Sequence, residues 1–206
     1  MDIKTQKKEL RKKVRAEERR LCGEYKRQAD QIIGWRVEGL PEYSKAETVF
    51  AFVGMDREID TRPLLEKILA DGKRLCVPLC REAGMMDLKV ITSLDELRPG
   101  TWGILEPSDS APSVRADEVD LAVIPCVSCS HEGLRLGQGG GYYDRFLEGF
   151  RGCAALICRE ALTLKDIPVE PHDAVIPVVI TEKGVFRNIY GFDTRTLLRS
   201  SEQAGS

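Results

Sequence analysis

The chain has 206 residues, of which 42% are hydrophobic and 31% charged, and its formal net charge is −2. This length and composition indicate one globular domain with an ordinary core. The small net charge excludes a general attraction to nucleic acid or anionic membranes. No apolar run approaches the roughly 18–20 residues of a membrane helix. The charged residues from Asp2 onward exclude the apolar region of a secretory signal, so we expect a cytoplasmic protein.

Residues 4–35 are predicted to form one long amphipathic helix. Its apolar residues keep spacings of four and seven along one face: Leu10, Val14, Leu21, Tyr25 and Ile32. Lys7 and Arg11 stand four apart on one face, so they can reach one polyanion together. The alternative is a solvated basic face, and a rival hypothesis gives this basic helix to RNA or DNA. The helix lacks the interleaved aromatic residues that such binding favours.

The rest of the chain alternates predicted strands with predicted helices. A helix begins after Asp60 or Thr61, with Pro63 in its first turn, and another begins at Tyr142. Buried strands are predicted at 47–53, 73–79, 86–91, 119–125, 153–158 and 174–181. This alternation predicts an α/β domain over 1–195, with a mostly parallel central sheet and helices on both faces. Residues 108–116 are expected to form an exposed loop, and 196–206 a disordered tail.

Seven cysteines are present, which is an odd number, and most lie in apolar runs. We expect reduced core residues, as is usual in a cytosolic protein. The pattern Cys126-x-x-Cys129-x-His131 imitates half of a zinc site. No second Cys/His pair follows at metal-ligand spacing, so a metal site and a redox pair are both less favoured alternatives.

The segment 135–145 carries four glycines in five positions: Gly137, Gly139, Gly140 and Gly141. It leaves a predicted strand and enters a predicted helix, where backbone N–H groups and the helix N-terminus can hold a phosphate. It is neither a dinucleotide fingerprint nor a Walker loop, and a plain tight connection is the alternative.

The side chains attached to this segment strengthen the anion hypothesis. Arg135 and Arg145 offer planar forks for phosphate or carboxylate. Asp144 lies in the first helical turn, where it can cap the helix or hold Mg²⁺. Tyr142 and Tyr143 can flank a flat ring.

The run Arg-Leu-Gly-x-Gly-Gly-Gly-Tyr-Tyr-Asp-Arg-Phe-Leu resembles the signature of the 5-formyltetrahydrofolate cyclo-ligase family, also called methenyltetrahydrofolate synthetase. The resemblance extends in order from about Lys7 to Thr181. It implies ATP- and Mg²⁺-dependent closure of 5-formyltetrahydrofolate to 5,10-methenyltetrahydrofolate. It also implies a three-layer α/β/α fold similar to ribose-5-phosphate isomerase and glucosamine-phosphate deaminase. The partners are then small molecules, and the expected state is a monomer. A non-catalytic nucleotide or sugar-phosphate binding protein on the same fold is the rival.

The resemblance also implies residue roles. Lys7-Lys8-Glu9-Leu10-Arg11 matches a family element that contacts ATP phosphates. The implied ATP contacts are Lys7, Arg11, Arg135, Gly137, Gly139, Gly140, Gly141, Tyr143 and Asp144. The implied folate contacts are Val53, Met55, Glu58, Trp102, Gln138, Gly139 and Tyr142. The implied metal ligands are Asp144 and Asp173, and the implied catalytic residues are Arg135, Tyr142 and Asp144.

Three of these positions leave alternatives open. Taken alone, Glu58 can be a solvent-facing loop acid, and Trp102 can be a packing residue. Gln138 departs from the Tyr or Arg of many relatives, so contacts to the folate tail are expected to differ. A second departure is Ile176-Pro177, where many relatives carry another Asp. His172 is expected to be an ordinary loop residue.

Overall fold

A computed structural model describes residues 2–55, 57–100, 103–170 and 173–188. The predictions for Trp102, His172 and the tail 196–206 therefore lie outside the described residues. The helices are α1 Ile3–Arg20, α2 Gly23–Glu38, α3 Pro41–Lys45, α4 Arg62–Ala70 and α5 Tyr142–Gly149. The strands are β1 Thr48–Ala51, β2 Arg74–Cys80, β3 Met86–Ile91, β4 Arg98–Pro99, β5 Leu105–Glu106, β6 Ser113–Val114, β7 Leu121–Ile124, β8 Ser128–Cys129, β9 Arg135–Leu136, β10 Cys153–Ile157, β11 Val178–Ile180 and β12 Val185–Arg187.

The central sheet has eight strands in the order β12-β11-β10-β7-β1-β2-β3-β6. From β11 to β2 each neighbouring pair is parallel, and the outer strands β12, β3 and β6 are antiparallel. The middle strands β1 and β7 are buried at every position, because helices cover both faces of a parallel sheet. The prediction of a mostly parallel sheet is confirmed.

Two hydrophobic clusters lie on the two faces of this sheet. Val49 of β1 belongs to the cluster that α2 and α4 cover, and the next residue, Phe50, belongs to the cluster that α5 covers. Successive side chains of a strand point to opposite faces, so this division follows from the period of two. Val14 of α1 packs into the second cluster as well. The result is the expected three-layer arrangement.

The predicted single helix over 4–35 is wrong, because the chain breaks at Leu21 and Cys22. Leu21 is extended, and its N–H donates to the carbonyl of Glu18. The Cys22 sulfur accepts from the N–H of Tyr25 and so caps α2, which begins at Gly23. A glycine lowers helix propensity, and the apolar spacing across the break concealed it.

The two ends of the sheet also differ from the sequence expectation. Ser113 and Val114, predicted to be loop, pair with β3. The strand predicted at 174–181 is shorter, and β12 was not predicted at all. None of the helices in the described ranges is long and apolar enough to cross a membrane.

Candidate active site

The glycine-rich segment connects β9 directly to α5. Gly139 and Gly141 adopt φ values of 103° and 72°, in the region that L side chains rarely occupy. Gly141 occupies the N-cap position of α5. These two positions therefore require glycine for backbone reasons, whether or not the loop binds a ligand. The helix N-terminus that follows still presents its backbone N–H groups to the surface.

A pocket of about 240 Å³ lies beside this loop and collects most of the predicted ATP and metal residues. Its lining residues are Lys4, Lys7, Arg11, Arg135, Leu136, Gly137, Gly139, Gly141, Asp144, Glu170 and Asp173. We call this the phosphate pocket. Lys7 and Arg11 come from α1, which is more than 120 residues away along the chain from the loop that they face. Gly140 and Tyr143 are not among its lining residues.

Opposite charges in the phosphate pocket are paired with one another. The Nζ of Lys7 lies 2.5 Å from the Oδ2 of Asp173 and 3.1 Å from the Oε2 of Glu170. Arg135 forms an ion pair with Asp144 across the loop. The residues predicted to bind phosphate and those predicted to bind metal therefore neutralise each other. Glu170 was not predicted to take part.

Arg11 holds the loop itself. Its Nε donates to the carbonyl oxygen of Gly137 at 2.7 Å. Partial burial lowers the pKa of Arg11, with the neighbouring charge of Arg15 adding to the effect. Arg11 keeps its charge in the accessible pH range all the same, because an arginine remains protonated.

Arg135 is almost entirely buried, and packing fixes its position. Its guanidinium carbon lies 5.8 Å from the centre of the Tyr143 ring. Its Nε atom is buried and has no hydrogen-bond partner in the described part of the chain. An unpaired buried donor is costly in free energy.

The two tyrosines do not form an open stack. Tyr143 packs 6.2 Å from the Phe50 ring, and burial raises its pKa. The hydroxyl of Tyr142 donates to the carbonyl of Arg81 at 3.2 Å. Neither ring is among the described residues that line the two cavities. Their contact with a flat ring stays a prediction.

A larger cavity of about 630 Å³, which we call the main cavity, lies beyond the carboxyl ends of β1, β7 and β10. Met55, Glu58 and Gln138, all predicted folate contacts, line it together with Arg15. Arg15 donates to the Gln138 Oε1 at 2.6 Å, and the Gln138 Nε2 is 3.4 Å from the Glu58 Oε1. Gln138 thus stands between the two cavities, since its neighbours in the loop line the phosphate pocket.

Val53 is not among the residues lining the main cavity. It is partly buried and packs against the first hydrophobic cluster. Met55, with 38% of its surface exposed, provides apolar surface at this end. The difference arises because Val53 still follows the alternation of β1, which points it into the core.

Glu58 is partly buried. Desolvation raises the pKa of its carboxyl group, and the hydrogen bonds from Met55 and Gln138 offset this only in part. The Met55 N–H donates to its Oε2 at 3.2 Å. A carboxylate with raised pKa in a cleft is a typical feature of binding sites.

The segment that carries Glu58 is held by a buried ion pair that sequence reasoning missed. Arg159 and Asp30 form a two-pronged pair, with N–O distances of 2.7 and 2.8 Å. The Arg159 Nη2 also donates to the carbonyl of Glu58 at 2.7 Å. Asp30 accepts from the N–H of Asp60 at 2.9 Å. The pair therefore fixes the backbone on both sides of Ile59.

The family model described as the 5-formyltetrahydrofolate cyclo-ligase family matches residues 3–182. The chain belongs to this family.

Relatives in the family come from distant organisms. The 5-formyltetrahydrofolate cyclo-ligase of Mycolicibacterium smegmatis is 32% identical over 165 residues, which cover 76% of this chain and 82% of that protein. That of Escherichia coli K12 is 29% identical, covering 84% of this chain and 98% of that protein. The solved structure of Aquifex aeolicus 5,10-methenyltetrahydrofolate synthetase is 32% identical, with a TM-score of 0.79, covering 90% of this chain and 94% of that one.

Proposed function

We propose that this protein uses ATP to convert 5-formyltetrahydrofolate into 5,10-methenyltetrahydrofolate, releasing ADP and phosphate. The observation that carries the proposal is the pair of cavities on either side of the glycine-rich loop. One is small and lined by cations and carboxylates, and the other is large and mostly apolar. The volume of the main cavity lies within the roughly 300–1,000 Å³ typical of small-molecule sites.

The phosphate pocket is the proposed ATP site. Lys7, Arg11 and Arg135 would bind phosphate oxygens together with the N–H groups of residues 137–141. The unpaired Nε of Arg135 supports this assignment. The ion pairs of Lys7 and Arg135 would exchange their carboxylate partners for phosphate. Tyr143 would then act through its contact with Arg135.

Mg²⁺ is the proposed metal, and the carboxylates of the phosphate pocket fit it. Asp144 and Asp173 would hold it, because hard oxygen donors from two separate segments line one pocket. Glu170 lies beside Asp173 around the same lysine and offers a further oxygen. Bound Mg²⁺ would neutralise charge on the phosphate oxygens. The carboxylates that Lys7 and Arg135 release would thus gain a new partner.

The main cavity is the proposed folate site. Glu58 would accept two parallel hydrogen bonds from the pterin ring, and Met55 would cover a ring face. Gln138, Gly139 and Tyr142 would contact the folate where the loop separates the cavities. Trp102 remains a predicted contact, and Val53 would support Met55 from behind.

The chemistry follows from placing the formyl group beside the γ-phosphate. The formyl oxygen attacks the γ-phosphorus, so that an oxygen–phosphorus bond forms and the bond to ADP breaks. N10 of the folate then attacks the activated carbon and loses its proton. The phosphate leaves with the former formyl oxygen, and the five-membered ring is closed. These steps need positioning and charge neutralisation rather than a protein nucleophile.

The test is a purified-protein assay at the absorbance band of the methenyl product. With 5-formyltetrahydrofolate, Mg²⁺ and ATP, absorbance should rise, and without ATP it should stay flat. A flat trace in the presence of ATP, with ATP still bound, would favour the rival binding protein. A cytoplasmic monomer of one domain over 1–195 is part of the proposal, and size-exclusion chromatography tests the monomer.

A further inference from the structure

Three cysteines converge beside the main cavity. The Sγ atoms of Cys126, Cys129 and Cys158 all lie within 4.8 Å of one another. We call these residues the thiol cluster. All seven cysteines of the chain lie in the described ranges and are free thiols. The cluster has no role in the proposed cyclisation.

The register of the sheet brings the cluster together. Ile124 of β7 pairs with Leu156 of β10 in parallel register. Cys126 and Cys158 each follow two residues later, so both strands deliver a cysteine at the same level. Cys129 lies in β8, and its carbonyl accepts from the N–H of Leu164 at 2.9 Å, which fixes the backbone there. The three side chains thus sit on firmly held backbone.

The arrangement replaces the half-site visible in the sequence. His131 points elsewhere, stacked 3.8 Å from the Phe186 ring and hydrogen-bonded to Glu160. Cys158, the residue directly after β10, supplies the third group instead, and the sequence pattern does not connect it to Cys126. A thiol set of the form Cys-x₂-Cys plus one distant Cys is typical of zinc ligation.

The cluster also has an entry path. Cys129 and Cys158 are buried, whereas Cys126 is half-buried. Cys126 and Cys158 line the main cavity. Cys126 and Cys158 make weak thiol hydrogen bonds to backbone, at 3.5 Å to the carbonyl of Ile157 and 3.4 Å to that of Arg159. A cation can therefore arrive through the cavity and displace the thiol protons.

We propose that the thiol cluster binds one zinc ion through three thiolates, with the fourth coordination position facing the main cavity. At a Zn–S distance of about 2.3 Å, tetrahedral geometry places sulfurs roughly 3.8 Å apart, so small side-chain rotations complete the site. Three protons leave to the buffer on binding, and a water completes the coordination. With three thiolates, a divalent ion gives the site a net charge of −1, whereas a monovalent ion gives −2. A half-buried site tolerates the smaller charge better.

The experiment is an anaerobic titration of the reduced full-length protein with Co²⁺, a spectroscopic substitute for zinc. We expect one Co²⁺ per chain with sulfur-to-cobalt charge-transfer absorption, and its displacement by Zn²⁺. In Cys126→Ser, affinity should fall by at least about 10-fold, since even outer-shell changes cost that much. Cys153→Ser, a half-buried cysteine outside the cluster, is the matched control and should bind as the parent does.

Several results would overturn the proposal. Cobalt bound without sulfur charge transfer would place it on the carboxylates of the phosphate pocket. Equal affinity in Cys126→Ser and Cys153→Ser would remove the cluster from the site. Failure of the reduced parent protein to take up any Co²⁺ would leave the thiol cluster without a metal role. Thermal unfolding of each metal-free variant shows whether a loss of binding reflects a loss of fold.

Discussion

The phosphate pocket and the main cavity differ in whether their charged side chains are paired with an opposite charge. In the phosphate pocket, Lys7 and Asp173 pair at 2.5 Å and Arg135 pairs with Asp144, so these two cations have carboxylate partners before any ligand arrives. In the main cavity, the partly buried carboxylate of Glu58 has two long contacts within the described part of the chain, at 3.2 and 3.4 Å. A ligand of the phosphate pocket must displace carboxylates from the cations that they pair with. A ligand of the main cavity instead supplies Glu58 with a stronger hydrogen-bonding partner.

We expect the largest effect on the rate from removing a paired carboxylate of the phosphate pocket. Asp144→Asn removes a charge that neutralises Arg135 and that is proposed to hold Mg²⁺. We expect kcat to fall by about 100-fold or more, the scale for losing one key electrostatic group. The measurement is the steady-state rate of methenyl-folate formation at saturating ATP.

Asp166→Asn is the matched control, because Asp166 is exposed and lines neither cavity. It should keep the parent rate. If the two variants retained similar rates, the metal and pairing role of Asp144 would have to be abandoned.

The buried ion pair of Arg159 and Asp30, which holds the segment that carries Glu58, should govern both stability and folate affinity. Arg159→Met leaves Asp30 buried without its partner, which typically costs about 3–5 kcal/mol of unfolding free energy. It also frees the backbone at Glu58, so the KM for folate should rise more than the KM for ATP. Urea unfolding and steady-state kinetics measure the two effects.

Arg187→Met provides the contrast. Its ion pair with Glu42 is partly exposed, with 46% and 30% of the side chains accessible, so its loss should cost no more than about 1 kcal/mol. An equal loss of stability in both variants would mean that burial of the Arg159–Asp30 pair does not raise the cost of breaking it.

The raised pKa of Glu58 predicts a pH dependence that the phosphate pocket should not share. Desolvation disfavours the charged carboxylate, so Glu58 takes up a proton at a higher pH than an ordinary glutamate. The proposed contact with the pterin ring needs the charged form, and the KM for folate should therefore rise as pH falls through this raised pKa. The contribution of Glu58 to the free energy of unfolding changes in the opposite direction. It is present at low pH and is lost as pH rises through the raised pKa.

Glu58→Gln is the test of that dependence. The variant should bind folate more weakly at neutral pH, by about 10-fold for the loss of one charged hydrogen-bonding group. Its KM for folate should no longer change across the acid limb. A parental pH profile in the variant would assign the titration to another group.

The sequence predicted the frame of the site because local patterns determine it. Apolar runs located the parallel strands, and the spacing of four placed Lys7 and Arg11 on one helical face. Asp144 was predicted from its place in the first helical turn and Asp173 from a family resemblance, and both line one pocket. Their roles there stay predictions.

The rest depended on contacts between distant segments. Asp30 and Arg159 are 129 positions apart, and nothing local shows that α2 meets the end of β10. The local signal for Arg159 is that a charged residue stands directly after an apolar run. The position of Cys158 beside Cys126 and Cys129 was not predicted for the same reason. The helix break at Leu21 was hidden because the apolar spacing continues across it.

The central claim is that each cavity serves one substrate. The most direct measurement is the equilibrium binding of ATP with Mg²⁺, and separately of 5-formyltetrahydrofolate, to Lys7→Gln and Glu58→Gln by calorimetry. The account predicts that Lys7→Gln weakens only ATP binding and that Glu58→Gln weakens only folate binding. Weaker ATP binding in Glu58→Gln, with folate binding unchanged, would contradict it.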